Sequence, residues 1–284
     1  MASNPSAYTN LKRRLRSDVD ARCLGGSSSG TVAGGLPVAA GGRHTGTVER
    51  VARTSLSFLS WNLAMLEPSA QAPLSWEVFD TEAAIRERVL EAAPDVLLYQ
   101  ELPAMVPFVE THDIIKANPR SHQGNLATLI THELAVSEPR FTTVGGFAIL
   151  TTFAAPALTV ANVHLAPGRG AAGERLEQLA RVVEASPTEA MLIVGDTNTR
   201  VDEADALVEA GMHTVKPPRP TWDSRRNRFR EEMAEFSAYF TRWFASPGLA
   251  VDEVRVWHEP IERLGKRFHL SDHFALSGMV SVGA

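Results

Sequence analysis

Short apolar runs closed by a polar side chain recur along the chain. LSFLSWN ends at Asn62, DVLLYQE at Glu101, LTVANVH at His164 and MLIVGD at Asp196, while LSDHFAL carries Asp272 and His273 ahead of its apolar end. Each reads as a strand bounded by turn residues, and LATLI near Leu126 and FAILTTF from Phe147 add further strand-like pieces. Helical spacing occurs in two places. Asp80 or Thr81 is positioned to cap a helix running to Ala92, with Ile85 and Val89 on one face and Pro94 ending it. Leu176, Leu179 and Val183 predict a second helix from about Ala172 to Ala185. Strands and helices alternate early, whereas the middle and end are strand-rich with short connections. The pattern predicts mixed sheets faced by helices, with chemistry at strand ends and in loops.

Composition divides the chain. From Gly25 to Gly42 the sequence GGSSSGTVAGGLPVAAGG has no aromatic residue and little apolar bulk, so burial would not offset the entropy of ordering it. Residues 1–53 are expected to form a disordered basic arm, and residues 54–284 one catalytic domain. The arm holds eight Lys or Arg against three acids, about +5, which leaves about −10 for the rest of a chain with formal charge −5. An acidic body captures long nucleic acid poorly and suits a cation-dependent site. The LKRRLR cluster, Leu11 to Arg16, reads as an address, a tether or a solvated tail. Cys23 is the single cysteine and favours a reducing compartment. No apolar run is long enough to span a bilayer. The expectation is an intracellular monomer, nuclear or cytoplasmic.

The polar ends of the strands suggest phosphoester chemistry. Asp196 and Asn198, two positions apart past an apolar run, can face one site, where one orients water and the other holds a phosphoryl oxygen. Glu101 is the best metal-ligand candidate, and Asn62 can add a neutral oxygen. Such oxygen donors suit Mg²⁺ or Mn²⁺, and no CxxC or HExxH spacing argues for zinc. Asp252 in AVDEVRVW and His273 form a second possible couple, because a carboxylate on an imidazole fixes its tautomer and favours the cation. The alternative for that couple is a surface salt bridge. His112, His122, His132, His213, His258 and His269 read as ordinary surface or turn histidines.

SWN, LYQEL, NVHL, GDTN and LSDH, in this order, resemble the signature of the endonuclease/exonuclease/phosphatase superfamily over Ser57 to about Val280. The resemblance implies a deoxyribonuclease I-like α/β sandwich of four layers, two mixed sheets flanked by helices, and metal-dependent phosphoester cleavage by in-line attack of water. It makes Asn62 and Glu101 metal-site residues, with Asp272 completing the site, and Asp196 the group that orients or deprotonates water. Asn198 and His273 would stabilise phosphoryl oxygens, Asp252 would pair with His273, and His164 would contact phosphate.

Within the superfamily, Thr197 in GDTN, the segment HLAPGRGAAGERLEQL and the TWD element at Trp222 and Asp223 are similar to the tyrosyl-DNA phosphodiesterase 2 type. That likeness implies a DNA end as substrate, cleavage of a 5′-tyrosyl linkage, and substrate contacts from Arg169, Arg200, Trp222 and Arg175. Arg175 and Gln178 read equally well as braces of their loop, and Trp222 as a core residue. Arg225, Arg226, Arg228 and Arg230 either track a nucleic-acid backbone or, with Glu231, Glu232 and Glu235, form a mixed helix face. Pro167 stands where the family has a hydroxyl residue, which removes a donor beside the phosphate. Other readings of the same chemistry are a nuclease or an inositol or lipid phosphatase, and the reading from another class is a non-catalytic binding module.

Overall fold

The computed structural model describes residues 54–103, 109–118, 125–209, 211–231 and 234–283; the arm expected over residues 1–53, with its basic cluster and Cys23, lies outside them, as does His122. Two six-stranded sheets dominate. The first contains β1 (Ser55–Asn62), β2 (Val96–Leu102), β3 (His112–Asn118), β4 (Asn125–Thr131), β13 (Leu249–Trp257) and β16 (Ala275–Val282), in spatial order β13-β16-β1-β2-β4-β3. The second contains β5 (Arg140–Val144), β6 (Ala148–Phe153), β7 (Leu158–His164), β8 (Met191–Asp196), β9 (His213–Val215) and β12 (Thr241–Ala245), in order β5-β6-β7-β8-β12-β9. One parallel pair lies inside each sheet, β1 with β2 and β7 with β8; the other pairings are antiparallel. Two small hairpins, β10 (Trp222–Asp223) with β11 (Ser237–Ala238) and β14 (Ile261–Arg263) with β15 (Lys266–Phe268), stand apart from the sheets.

Four α-helices lie among the described residues, α1 (Val78–Ala92), α2 (His132–Ala135), α3 (Ala172–Ala185) and α4 (Val201–Glu209), with 3-10 turns at Ala64–Leu66 and Arg169–Ala171. The helix expected to be capped by Asp80 or Thr81 is capped three or four residues earlier. Glu77 is its N-cap, and Asp80 sits inside the first turn, where its Oδ2 accepts the Glu77 N–H at 2.9 Å. The helix over Ala172 to Ala185 has the expected bounds. No helix among the described residues is long and apolar enough to cross a membrane.

Strand alternation sorts the side chains into three apolar clusters. Between the sheets lie Leu56, Phe58, Val96, Leu98, Val160, Leu192, Val194, Trp243 and Leu276. The outer face of the first sheet packs Leu97, Tyr99 and Leu129 under Ile85 and Val89 of α1. The outer face of the second packs Val163 and Ile193 under Leu179 and Val183 of α3 and Leu207 of α4. The result is the expected four layers, helix on sheet on sheet on helix.

The same alternation delivers polar residues to the top of the central layer. Asn62 follows Leu56 and Phe58 on the inner face, Asn162 and His164 follow Leu158 and Val160, and Asp196 follows Leu192 and Val194. Below them two buried amides bridge the sheets. Gln100 Nε2 donates to Asn162 Oδ1 at 2.7 Å, and Asn162 Nδ2 donates to the carbonyls of Tyr99 (3.2 Å) and Ala127 (2.9 Å).

Candidate active site

Glu101 breaks the alternation. With Leu97 and Tyr99 facing α1, a regular β2 would send Glu101 outward with them. Instead the β2–β4 register shifts between Tyr99 and Leu102, and Glu101 takes φ 49°, so the bulge turns its carboxylate inward. Asp196 arrives by a second special backbone. Gly195 has φ 140°, and a Cβ there would run into the Val163 carbonyl oxygen of the adjoining strand. Only glycine lets β8 come this close to β7, where His164 and Asp196 lie in register.

These elements gather five side chains. Asn62 Nδ2 donates to Asp196 Oδ2 at 2.9 Å and to Glu101 Oε1 at 3.0 Å. His164 Nε2 lies 3.5 Å from Glu101 Oε1 and 3.7 Å from Asp196 Oδ2, and His273 Nε2 lies 3.6 Å from the same Asp196 oxygen. All but Glu101 are buried; Glu101 is partly open, so the cluster has one wet side. Asn198, in the left-handed region at φ 51°, donates its N–H to Asp196 Oδ1 (3.1 Å) and its side-chain amide to Leu165 O (3.2 Å), which holds it at the rim. Ser271 ties the last segment to the first: its hydroxyl donates to Asn62 O at 2.6 Å and accepts the His273 N–H at 3.1 Å. Sequence reasoning missed Ser271, although its place two residues before His273 was a readable turn signal.

Asp272 is buried, its Oδ1 has no hydrogen-bond partner, and burial pushes its pKa up, with His273 opposing and Glu101 and Asp196 adding to the rise. Arg230 opposes that rise as well, so the Asp272 carboxyl feels both the acidic pair and a guanidinium. Ligand atoms of Glu101, His164 and Asp196 lie within 4.8 Å of one another; Asp272 is not part of that group. This donor set fits a divalent cation. Glu101 and Asp196 would hold it. Asn62 does not offer the oxygen expected of it: its Oδ1 accepts the Ala64 N–H at 3.0 Å, and its nitrogen bridges the two carboxylates.

Two expected roles need correction. Asp252 does not pair with His273, because it is exposed on edge strand β13, whereas the His273 ring is buried and its Nδ1 has no partner. Across β8 and β12 the residue paired with Asp196 is Thr241, whose hydroxyl is also unpartnered. Arg175 does not face substrate. It is fully buried, pairs bidentately with Glu203 at 2.6 and 2.7 Å, and donates to the carbonyls of Ala166 and Gly168 at 2.7 Å each. Gln178 accepts the Ala166 N–H at 2.9 Å, so both residues brace the loop after His164.

Arg169 is exposed on that loop, and Arg200 is partly exposed past Asn198. Burial and the nearby charges of Arg175 and Arg169 lower the Arg200 pKa against Glu203 and Asp196, and its Nε has no partner. Its guanidinium lies 4.6 Å over the Phe240 ring. Trp222 is neither core nor isolated: it stacks on Phe236 at 5.9 Å and stands edge-on to His273 at 4.9 Å, while Phe240 lies 6.2 Å from His273. Phe236 and Phe240 carried no motif that sequence reasoning could use. The arginine run forms no helix among the described residues; it follows β10 through a turn, with Arg228 and Arg230 reaching Glu235 and Glu67. His112 and His269, read as surface or turn histidines, are buried.

No protein-family profile matches the chain, and no curated protein does. Solved structures do. A Danio rerio TDP2 complexed with single-strand DNA product is 20% identical, with 81% of this chain and 100% of that one covered and a TM-score of 0.62. A truncated Caenorhabditis elegans TDP2 is 17% identical, with coverage of 80% and 98% and a TM-score of 0.60. An endonuclease/exonuclease/phosphatase family protein from Bacteroides thetaiotaomicron is 17% identical, with coverage of 81% and 99% and a TM-score of 0.58. The chain therefore has the two-sheet, deoxyribonuclease I-like fold of these proteins.

Proposed function

We propose that this protein is a divalent-cation-dependent phosphodiesterase acting on DNA ends, and that it cleaves a 5′-tyrosyl linkage to leave a 5′-phosphate. The observation that carries the reading is Asp196, whose Oδ2 lies within 3.7 Å of Asn62, His164 and His273, groups supplied by three other segments of the chain. Buried charges kept in this way without apolar replacement argue against a binding module freed from catalysis.

Asp196 orients a water molecule and accepts its proton as the oxygen attacks phosphorus. Its contact with Asn62 Nδ2 fixes the carboxylate so that one oxygen faces the reacting atoms. His273 Nε2, His164 Nε2 and the Asn198 amide are donors for the phosphoryl oxygens as charge builds on them. Glu101 and Asp196 would hold a divalent cation, which would supply further neutralisation of that charge. The phosphorus–phenolate bond then breaks; a phenol with pKa of about 10 leaves with less proton assistance than an alkoxide. Trp222 and the exposed Phe236 form an apolar wall beside His273, which suits an aromatic or nucleotide group better than a polyhydroxylated inositol. Exposed Arg169, and Arg200, which lies over the Phe240 ring, add cationic donors.

The test incubates the protein, with Mg²⁺ and with Mn²⁺, on oligonucleotides carrying a 5′-phosphotyrosine, a 3′-phosphotyrosine or an abasic site, and on an inositol polyphosphate. The expected result is preference for the first, abolished by a chelator, with Asp196→Asn slower by at least about 10²-fold. Preference for another substrate would replace the tyrosyl assignment with a nuclease or phosphatase. No turnover of any of them, with no cation bound in calorimetry, would sink the enzymatic reading.

A further inference from the structure

Among the described residues a cleft carrying two arginines adjoins the segments of Trp222 and His273. It measures about 280 Å³ and is lined by Arg219, Pro220, Asp223, Arg226, His258 and Phe274. Clefts for drug-sized ligands measure roughly 300–1,000 Å³, so this one suits a single small group. Its lining joins the two segments that carry Trp222 and His273, one residue further along each. The Phe274 N–H donates to Thr221 O at 2.8 Å, and Asn227 Nδ2 donates to Ser271 O at 2.7 Å. The cleft therefore sits on the reverse of the wall formed by Trp222 and His273, in fixed relation to it.

The cations in it are held in place. His258 Nδ1 faces Val256 O at 3.1 Å, and its Nε2 lies 2.7 Å from Arg219 Nη1, which anchors that guanidinium at the cleft. Arg226 stands on a turn in which its own N–H and that of Asn227 both reach Asp223 O, at 3.1 and 2.8 Å. Asp223 does not cancel it: Asp223 Oδ1 accepts the Arg225 N–H at 3.1 Å, and Oδ2 lies 3.7 Å from Arg226 Nε, so the outer nitrogens of the fork are left to the cleft. Glu259 Oε1 lies 2.9 Å from the same His258 Nε2, so it shares that nitrogen with Arg219 at one side of the cleft. Two guanidinium forks over a small apolar floor make a receptor for a tetrahedral oxyanion.

We propose that this cleft binds a backbone phosphate of the nucleic-acid strand, a few nucleotides from the scissile one. The proposal rests on the phosphodiesterase reading and adds to it: the enzyme selects a strand over a mononucleotide, and does so through Arg219 and Arg226. Each stacked nucleotide advances a strand by about 3.4 Å, so a strand leaving His273 over the Trp222 rim reaches the cleft within a short oligonucleotide.

Three measurements test it together: turnover of a small chromogenic phosphodiester, turnover of 5′-tyrosyl oligonucleotides of increasing length, and anisotropy binding of a labelled 12-mer to Asp196→Asn protein. Wild type is expected to gain in kcat/KM with length. The pair Arg219→Gln and Arg226→Gln is expected to lose that gain, to weaken 12-mer binding by about 10- to 100-fold, and to lower its salt slope by about one to two. Turnover of the small ester should not change. If small-ester turnover persists in wild type while the double variant keeps the length gain and the 12-mer affinity, the cleft proposal is overturned alone. If wild type turns over neither substrate, the functional reading fails instead. Weaker binding of free inorganic phosphate without any loss on the 12-mer would mark a phosphate site unrelated to the strand and would also overturn the proposal.

Discussion

Replacing Arg175 by Met should cost about 3–5 kcal/mol of stability, the range for removing one partner of a buried ion pair. The structure explains why the full range applies. Glu203 is 4% exposed and loses both of its guanidinium contacts, so its charge keeps only the longer-range attraction of Arg200 and Arg242. The carbonyls of Ala166 and Gly168 lose a donor each, worth about 1 kcal/mol apiece. Met fills much of the vacated volume, so a cavity term stays small. With a urea m-value of about 3 kcal/mol/M, the midpoint should move down by about 1–2 M at unchanged slope. Glu203→Met alone should be comparably harmful, because it strands the guanidinium. The double variant Arg175→Met with Glu203→Met should be much less destabilised than the sum, since no buried charge remains. The loop after His164 would still lack its donors, so kcat/KM should stay low in the double variant even where stability returns. A single variant within 1 kcal/mol of wild type, or a double variant whose losses simply add, would refute the idea that a buried ion pair braces this loop.

Gly195→Ala should lower the melting temperature by about 6–12 °C, because the strain and the clash with Val163 O together exceed about 3 kcal/mol; a shift under 2 °C would show that β7 and β8 can separate without harm. His269 is pushed down to about 4, first by burial and then by Arg88, against Glu259. Its unfolded form takes up a proton near 6.5 and the folded form does not until about 4, so stability should fall as pH drops across that window, by up to about 3 kcal/mol. Urea titrations of His269→Gln should show a flatter profile than wild type, while Asp272, raised by burial, acts oppositely and equally in both proteins.

Much of the site was legible because period-two alternation ties each polar end to its own strand. Asn62, His164 and Asp196 close runs whose apolar members fill the central layer, so their common facing follows from the pattern alone. Glu101 shows where such reasoning stops: it was chosen for its place at a strand end, yet its inward aim comes from a bulge that no alternation encodes. Asp252 was read correctly as lying in a strand and wrongly as a partner, because sequence does not say that its strand is at an edge. Arg175 carried the same letter as a phosphate ligand would; only Glu203, on another helix, decides what it does. Phe236 and Phe240 lie in a stretch without periodicity, and their meeting with Trp222 depends on a two-residue pairing of strands too short to announce themselves.

The amide bridge between Gln100 and Asn162 separates two jobs that cores usually merge, adhesion and alignment. Leucine and valine faces hold the sheets together but tolerate sliding, since one apolar contact replaces another at little cost. Amide hydrogen bonds do not slide: a slip of one residue is about 3.3 Å, longer than the bonds of 2.7–3.2 Å that Gln100 and Asn162 make to each other and to Tyr99 and Ala127. The clustered side chains are shared between the two sheets, so such a slip would open the 3.5 Å approach of His164 to Glu101 and the 3.6 Å approach of His273 to Asp196. Asn162 in addition grips Tyr99 O at the very bulge that aims Glu101. It works as a registration pin, buried out of reach of any substrate, whose loss would misalign the two halves of the cluster while leaving the apolar layer between them intact.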